Sequence, residues 1–467
     1  MRSCRESTNS RRFKPLIDAY NRPMNEHRTS ATKSKERSKS GVPTISRACK
    51  DGTIVELVYD AGERKTALVV SRHNGLWNIE QEVRIETGER LVPYSPLNNL
   101  IANECVLLPS TVTDYGSKER LLEEIAAFIH RYTDLSPQFE KFATYYVLLT
   151  WVHDAFNELP YLRFRGDYGT GKTRGLMTIG SICYKPFFAS GASTVSPIFH
   201  TLDTFGGTLV FDEADLRFSD AKADIVKILN NGNVRGLPVL RTVVTRAKEF
   251  NPHAFHVYGP KIIGMRESFE DRALESRFLT EETGQRPLRA GIPIHLPDSL
   301  KREALELRNK LLHFRLVNRF SVATDPSVVT PEIEPRLNQM ALSLLSLVDS
   351  PALRAEMTDA LIRQQADLIN ERSQTIAAQV LQVTIEAFEK SDGASIPLRE
   401  IADGFNARHA SDYNRFLSNK AIGTVLRKRL RLQTQKSRGV YVIPVSELPK
   451  IDVLAKRFGV DRLGTTS

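Results

Sequence analysis

Eight consecutive residues constrain this chain more than any others: Gly166-Asp167-Tyr168-Gly169-Thr170-Gly171-Lys172-Thr173. They satisfy G-x-x-x-x-G-K-[ST], a loop whose glycines let backbone N–H groups turn inward and cradle phosphates. Lys172 is expected to reach the β- and γ-phosphates, and the Thr173 hydroxyl to hold Mg²⁺. Upstream, Tyr161 to Arg165 reads as a strand entering the loop. Downstream, Arg174 to Cys183 reads as a helix whose positive N-terminus faces the anion. All eight loop residues are therefore candidates for holding ATP.

A second element supports the first. Thr208-Leu-Val-Phe-Asp212-Glu213 is an apolar run ending in two acids, and Asp212 lies 40 residues beyond Lys172. A buried strand that delivers an Asp to Mg²⁺ has this form. A Glu immediately after it can orient or deprotonate an attacking water. Apolar runs ending in acids are common, so the signal lies in the pairing with the loop. Together they predict ATP binding and hydrolysis, with Lys172 and Glu213 as catalytic residues and Thr173 and Asp212 as metal ligands.

Composition narrows the setting. The four cysteines, Cys4, Cys49, Cys105 and Cys183, are scattered without a C-x-x-C pair, which suggests neither a disulfide frame nor a structural zinc site. No apolar run approaches membrane-helix length and the N-terminus has no apolar signal core, so a cytoplasmic protein without a membrane partner is expected. The net charge of +10 is uneven. Residues 1–50 carry 13 Lys+Arg against 4 Asp+Glu, and residues 391–467 carry 14 against 7. The body between them is mildly acidic. Basic ends on such a body suit a polyanion, although solvated basic tails are common.

In chain order, residues 1–45 read as a disordered basic tail and 46–115 as a small β-domain with turns at Asp60-Ala-Gly62, Asn74-Gly75 and Thr87-Gly88. Residues 116–159 read as a helical linker, its second helix opened by Ser136-Pro137. Strands alternating with helices over 160–298 predict an α/β core with a parallel sheet covered on both faces. Within it, Val239 to Thr245 and Phe255 to Tyr258 read as a hairpin carrying Arg246, Lys248 and His253 at its tip. Helices over 299–371 follow. Residues 372–445 read as a winged helix-turn-helix. Its third helix, Asn419 to Leu430, bears Lys420, Arg427, Lys428 and Arg429, and its wing turns at Gln435-Lys436-Ser437-Arg438. In such a fold these cations would meet DNA, though winged helices also serve protein contacts. Residues 446–467 give no signal.

This order of elements resembles an AAA+ P-loop ATPase of the kind found in replication helicases and initiators of phages, plasmids and mobile elements. The resemblance covers roughly 120–445 and rests on the phosphate loop and the acidic strand. It implies a helical lid over 299–371 and work as a homo-oligomeric ring, often a hexamer, with ATP sites between subunits. Asp271-Arg272-Ala-Leu-Glu-Ser-Arg277-Phe278 resembles the segment that carries an arginine finger. Arg277 matches that position, with Arg272 second. Arg336, early in its helix, resembles the lid arginine that contacts the γ-phosphate. The polar sensor expected after strand 261–265 is replaced by Arg266 or Glu267, a departure that leaves that role open. The resemblance also implies that the hairpin grips DNA in a central channel.

The reading that follows is an ATP-dependent DNA helicase or replication ATPase, with ATP, Mg²⁺, DNA and replication proteins as partners. Three alternatives stand beside it: a loader or switch acting on another helicase, a DNA-binding regulator whose ATPase controls assembly, and a small-molecule P-loop kinase.

Overall fold

The computed structural model describes residues 41–73, 76–213, 220–242, 252–269, 271–409 and 416–460. Among the described residues, the N-terminal unit has seven strands: β1 (Val42–Thr44), β2 (Ser46–Ala48), β3 (Ile54–Asp60), β4 (Lys65–His73), β5 (Leu76–Glu80), β6 (Val83–Arg84) and β7 (Arg90–Pro93). β2 to β5 form an antiparallel meander, while β1 pairs with β7 in parallel. Residues 42–44, expected in the basic tail, are thus part of a sheet.

The loop itself sits on a five-stranded, all-parallel sheet. In chain order its strands are β8 (Tyr161–Arg165), β9 (Phe187–Ser190), β10 (Leu209–Asp212), β13 (Lys261–Met265) and β14 (Phe278–Glu282). Between β10 and β13 lies the separate antiparallel pair β11 (Val239–Thr242) and β12 (Pro252–Phe255). Across the parallel sheet the order is β14-β8-β13-β10-β9. β13, which follows β10 in sequence, is therefore inserted between the loop strand and the acidic strand. All five residues of β13 and the first four of β8 are buried, as a strand covered on both faces requires. The sequence pattern does not announce β14, because Phe-Leu-Thr-Glu-Glu lacks a continuous apolar run.

Two long helices precede the loop, α1 (Lys118–Tyr132) and α2 (Pro137–Val152). Ser136 caps α2 by accepting from Phe139 N–H at 3.2 Å, with Pro137 in the first turn. Twelve of its 16 residues are buried, so this segment is a core layer of the α/β body and not a linker. It packs with β14 and with α7 (Ser299–Asn318), the first of the helices after the sheet. The others are α8 (Pro335–Leu345) and α9 (Pro351–Ser373).

The β-rich N-terminal unit is locked to this body by buried charge. Glu56 on β3 pairs with Lys185 at 2.8 Å and with Arg315 of α7 at 2.7 Å, and Arg315 continues to Asp154 at 2.7 Å. Burial pushes the Glu56 carboxyl up, but Lys185 and Arg315 outweigh it and hold it below its ordinary value.

The C-terminal unit has its own apolar core. Helices α10 (Ile376–Lys390), α11 (Leu398–His409) and α12 (Asn419–Thr424) accompany a three-stranded sheet of β15 (Ile396–Pro397), β17 (Val440–Ile443) and β16 (Gln435–Ser437). The third helix is shorter than its sequence pattern predicts. Its α-geometry ends at Thr424 and a π-turn over Val425–Arg429 follows. The β16–β17 turn is Arg438-Gly439, both at positive φ, so Gln435 to Ser437 form strand and not tip. The tail also carries structure. A final helix, Leu448–Phe458, buries Ile451, Leu454 and Ala455 in this core.

Candidate active site

The phosphate loop bridges the end of β8 and the start of helix α3 (Lys172–Ser181). Gly169 (φ 71°) and Gly171 (φ 92°) both take the left-handed conformation, and Gly171 is the N-cap of α3. A side chain at either position would resist that turn. Lys172 Nζ donates to the carbonyl oxygens of Gly166 at 2.7 Å and Asp167 at 2.5 Å, which keeps the ammonium against the loop. Thr170 Oγ1 lies 2.8 Å from Thr283 Oγ1, tying the loop to the segment after β14.

The two halves of the sequence signal meet. Thr173 Oγ1 donates to Asp212 Oδ2 at 2.6 Å. A cleft of about 250 Å³ opens beside them, lined also by Ser190 and Ser193. One hydroxyl and one carboxylate suit Mg²⁺, which takes few protein ligands and completes its octahedron with phosphate oxygens and water. Among the described residues no group of three or more His, Cys, Asp or Glu could hold a metal by itself. Glu213 follows Asp212 at a left-handed φ of 58°, is exposed, and donates its N–H to Asp212 Oδ1 at 2.9 Å. A non-glycine residue held there costs on the order of 1 kcal/mol, a strain typical of functional turns.

Gly264 carries no signature of its own in the sequence, yet it shapes this site. A Cβ there would lie 2.8 Å from both Asp212 Oδ1 and Leu176 Cδ1. The inserted strand can run beside Asp212 only because that side chain is absent. A lone glycine inside an apolar run was the available signal.

Beside Gly169 to Gly175 lies a cleft of about 880 Å³, walled in part by Thr133, Leu135, Thr280, Gln285, Leu288 and Ile292. It has the size and mixed lining of a nucleoside pocket. Arg174 Nη2 braces it by donating to the Ile294 carbonyl at 2.6 Å. Arg266, the first residue after β13, stacks over the exposed Tyr168 ring at 3.6 Å and donates to its hydroxyl. The sensor candidate and the loop are therefore in contact. Glu267, the other candidate, is exposed beside it.

The two arginines expected to complete the site lie elsewhere. Tyr161 N–H donates to the Arg277 carbonyl at 2.9 Å, which fixes Arg277 at the start of β8. The loop leaves from the other end of that strand, about 13 Å away along its five residues. Arg277 Nη1 donates to Asn230 Oδ1, and its Nε is buried without a partner. Burial lowers the Arg277 pKa, and the charge of Arg336 lowers it further. Arg336 lies in α8, whose Gln339 donates to Glu158 three residues before β8, so it too stands at that end of the sheet and not beside its own chain's phosphate loop. Arg272 lies in the short helix Arg272–Glu275.

Among the DNA candidates, Arg246 and Lys248 fall outside the described residues. His253 is not at a hairpin tip. It pairs with Arg241 across β11 and β12, and its Nε2 lies 3.2 Å from Asp203 Oδ2. Lys420, Arg427, Lys428, Arg429, Lys436 and Arg438 are all exposed in the C-terminal unit. Arg427 Nη1 donates to Thr434 Oγ1 at 3.2 Å, joining the third helical segment to the residue before β16.

No family model and no curated protein matches this chain. Among solved structures, it is similar to the C-terminal region of NrS-1, with a TM-score of 0.37 and 12% identity over 84% of this chain and 96% of that one. JCV helicase gives 0.22 and 17%, over 54% and 62%. The Aeropyrum pernix ORC1 protein in complex with DNA gives 0.21 and 12%, over 71% and 95%. These likenesses are slight.

Proposed function

We propose that this chain is an AAA+-type ATPase that couples ATP hydrolysis to DNA binding and unwinding, as a replication helicase of a phage, plasmid or mobile element does. The observation that carries the reading is the Thr173–Asp212 contact, which joins the first turn of α3 to the end of β10 across the intervening β13, with Glu213 at the next position.

In this reading Lys172 and the loop N–H groups bind the phosphates of ATP, and the base lies in the cleft beside Gly169 to Gly175. Thr173 and Asp212 hold Mg²⁺, which neutralises charge on the β- and γ-phosphates when bound. Glu213 accepts a proton from the attacking water or orients it. Arg277 and Arg336, at the far end of the sheet, serve the nucleotide of a neighbouring protomer, which makes a ring the working form. Arg277 there stabilises charge on the transferred phosphoryl group. The winged unit binds DNA through its exposed cations.

ATP turnover with and without single-stranded DNA, measured beside unwinding of a forked duplex with Lys172→Ala as control, tests this. DNA-stimulated turnover with unwinding supports the helicase. Turnover without unwinding moves the assignment to a loader or switch, and wild-type turnover by Lys172→Ala overturns the site.

A further inference from the structure

Three arginines are buried among the described residues: Arg163, Arg308 and Arg315. Two have buried carboxylate partners. Arg163 pairs with Glu275 at 2.7 Å, and Arg315 with Glu56 and Asp154. Arg308, 6% exposed, has none. Its Nη1 donates to the Ser181 carbonyl at 2.6 Å and its Nε to the Leu108 carbonyl at 3.4 Å. Burial lowers its pKa to about 10, against the pull of Glu104. The buried Lys261 also lacks a carboxylate, but it donates to three carbonyls and so uses all three ammonium protons. Arg308 uses two of five donors on backbone.

The guanidinium lines a cavity of about 730 Å³ where the N-terminal unit, the phosphate-loop helix and α7 meet. Its body is apolar, with Met177, Phe188, Leu300 and Leu305 among the walls. Lys301 and Arg302 stand exposed at its rim. The acids there are Asp60, Glu104 and Asp298, and Asp60 Oδ1 already accepts from the N–H groups of Gly62 and Glu63. The 20-residue helix α7 also begins at this cavity, and Asp298 supplies no side-chain cap to it. Its first N–H groups add positive potential at the mouth. The cavity shares no lining residue with the nucleoside cleft.

We infer that this cavity binds a small amphipathic organic anion, with its charged head on Arg308 and its apolar body against Met177, Phe188 and Leu305. A buried cation without a counter-charge is costly, and an anion in the cavity supplies that charge. The volume suits a ligand of drug or nucleotide size. Because Met177 and Phe188 also line the cleft at Thr173 and Asp212, an occupant would bear on the phosphate-loop helix from behind.

The test uses the full chain and two fluorescent probes of one shape. 8-Anilinonaphthalene-1-sulfonate carries the anionic head, and N-phenyl-1-naphthylamine lacks it. We expect Arg308→Met to weaken the sulfonate about tenfold, the worth of one charge-assisted contact, and to leave the neutral probe unchanged. Saturating ATP-Mg²⁺ should displace neither. Equal affinity of the sulfonate for both proteins, an equal loss of both probes, or displacement by ATP overturns the inference. Should Arg308→Met fail to fold, Leu305→Trp decides by filling the half-buried wall. Loss of both probes upholds the site, and unchanged sulfonate binding removes it.

Discussion

Thr173 Oγ1 and Asp212 Oδ2 are 2.6 Å apart although 39 residues separate them in the chain. β8, which leads into the loop, and β10, which ends in Asp212, are not neighbours, since β13 lies between them. The contact is therefore set by how closely β13 lets the Asp212 side chain approach the loop helix. Gly264 is the residue on β13 that permits it.

Gly264→Ala tests that dependence. The added Cβ would sit 2.8 Å from Asp212 Oδ1 and force the carboxylate aside. Hydrolysis should fall by about a hundredfold, the usual effect of misplacing a catalytic group by an ångström. ATP binding measured in EDTA should change little. Steady-state turnover together with a fluorescent-nucleotide titration separates the two effects. A parallel loss of binding would mean that the loop itself had been disturbed.

Arg277→Ala should lose about a thousandfold in turnover, in the range found for trans-acting arginines. If the residue serves a neighbour, mixing Arg277→Ala with Glu213→Gln should restore part of the activity, because some interfaces then carry both intact groups. Arg336→Ala, at the same end of the sheet, should be rescued in the same way. Absence of rescue at every mixing ratio would count against a shared site.

Replacing Arg427, Lys428 and Arg429 by alanine should weaken DNA binding irrespective of sequence. The slope of log affinity against log salt should become shallower by about three, near one for each phosphate that no longer meets a cation. Fluorescence anisotropy across a salt series reads it. An unchanged slope would assign the C-terminal unit to protein contacts.

Stability should fall with mild acid because of His153. Its imidazole is 5% exposed, and Nδ1–H donates to the Thr150 carbonyl at 2.8 Å. Burial lowers its pKa from 6.5 to about 4, against the attraction of Asp154. Between these values the unfolded chain takes up a proton that the folded chain does not. Stability is therefore full above pH 6.5 and declines as pH falls toward 4. The loss from pH 7 to pH 5 should be about 2 kcal/mol, visible in urea unfolding and absent in His153→Gln. The buried carboxyl of Glu56, held below its ordinary 4.5, contributes a further loss only at lower pH.

Removing Glu56 should be more damaging than protonating it. Glu56→Ala leaves Lys185 and Arg315 buried without their shared partner and should cost about 3–5 kcal/mol. Thermal or urea denaturation of the full chain checks this. A cost under about 1 kcal/mol would show that the two units are not clamped through this residue.

The phosphate loop, its strand and helix, the acidic strand and the helical periodicity of the later segments were legible in the sequence. Each is a local pattern whose physics acts over a few residues: glycine conformations, an apolar run, a capped turn. The sequence also placed Lys172, Thr173, Asp212 and Glu213 in one chemistry, because their residue types and order have few other uses. What it did not contain was which ends of the elements face each other. Arg336 read as a partner of the phosphate loop, and only the parallel register of β8 and β14, with the docking of α8 against Glu158, put Arg277 and Arg336 at the opposite end of the sheet. β14 and the final helix escape a local reading because packing by distant residues, not local propensity, decides them. The unpaired charge of Arg308 belongs to the same class. Burial without a counter-ion is a property of three units meeting, and no single segment records it.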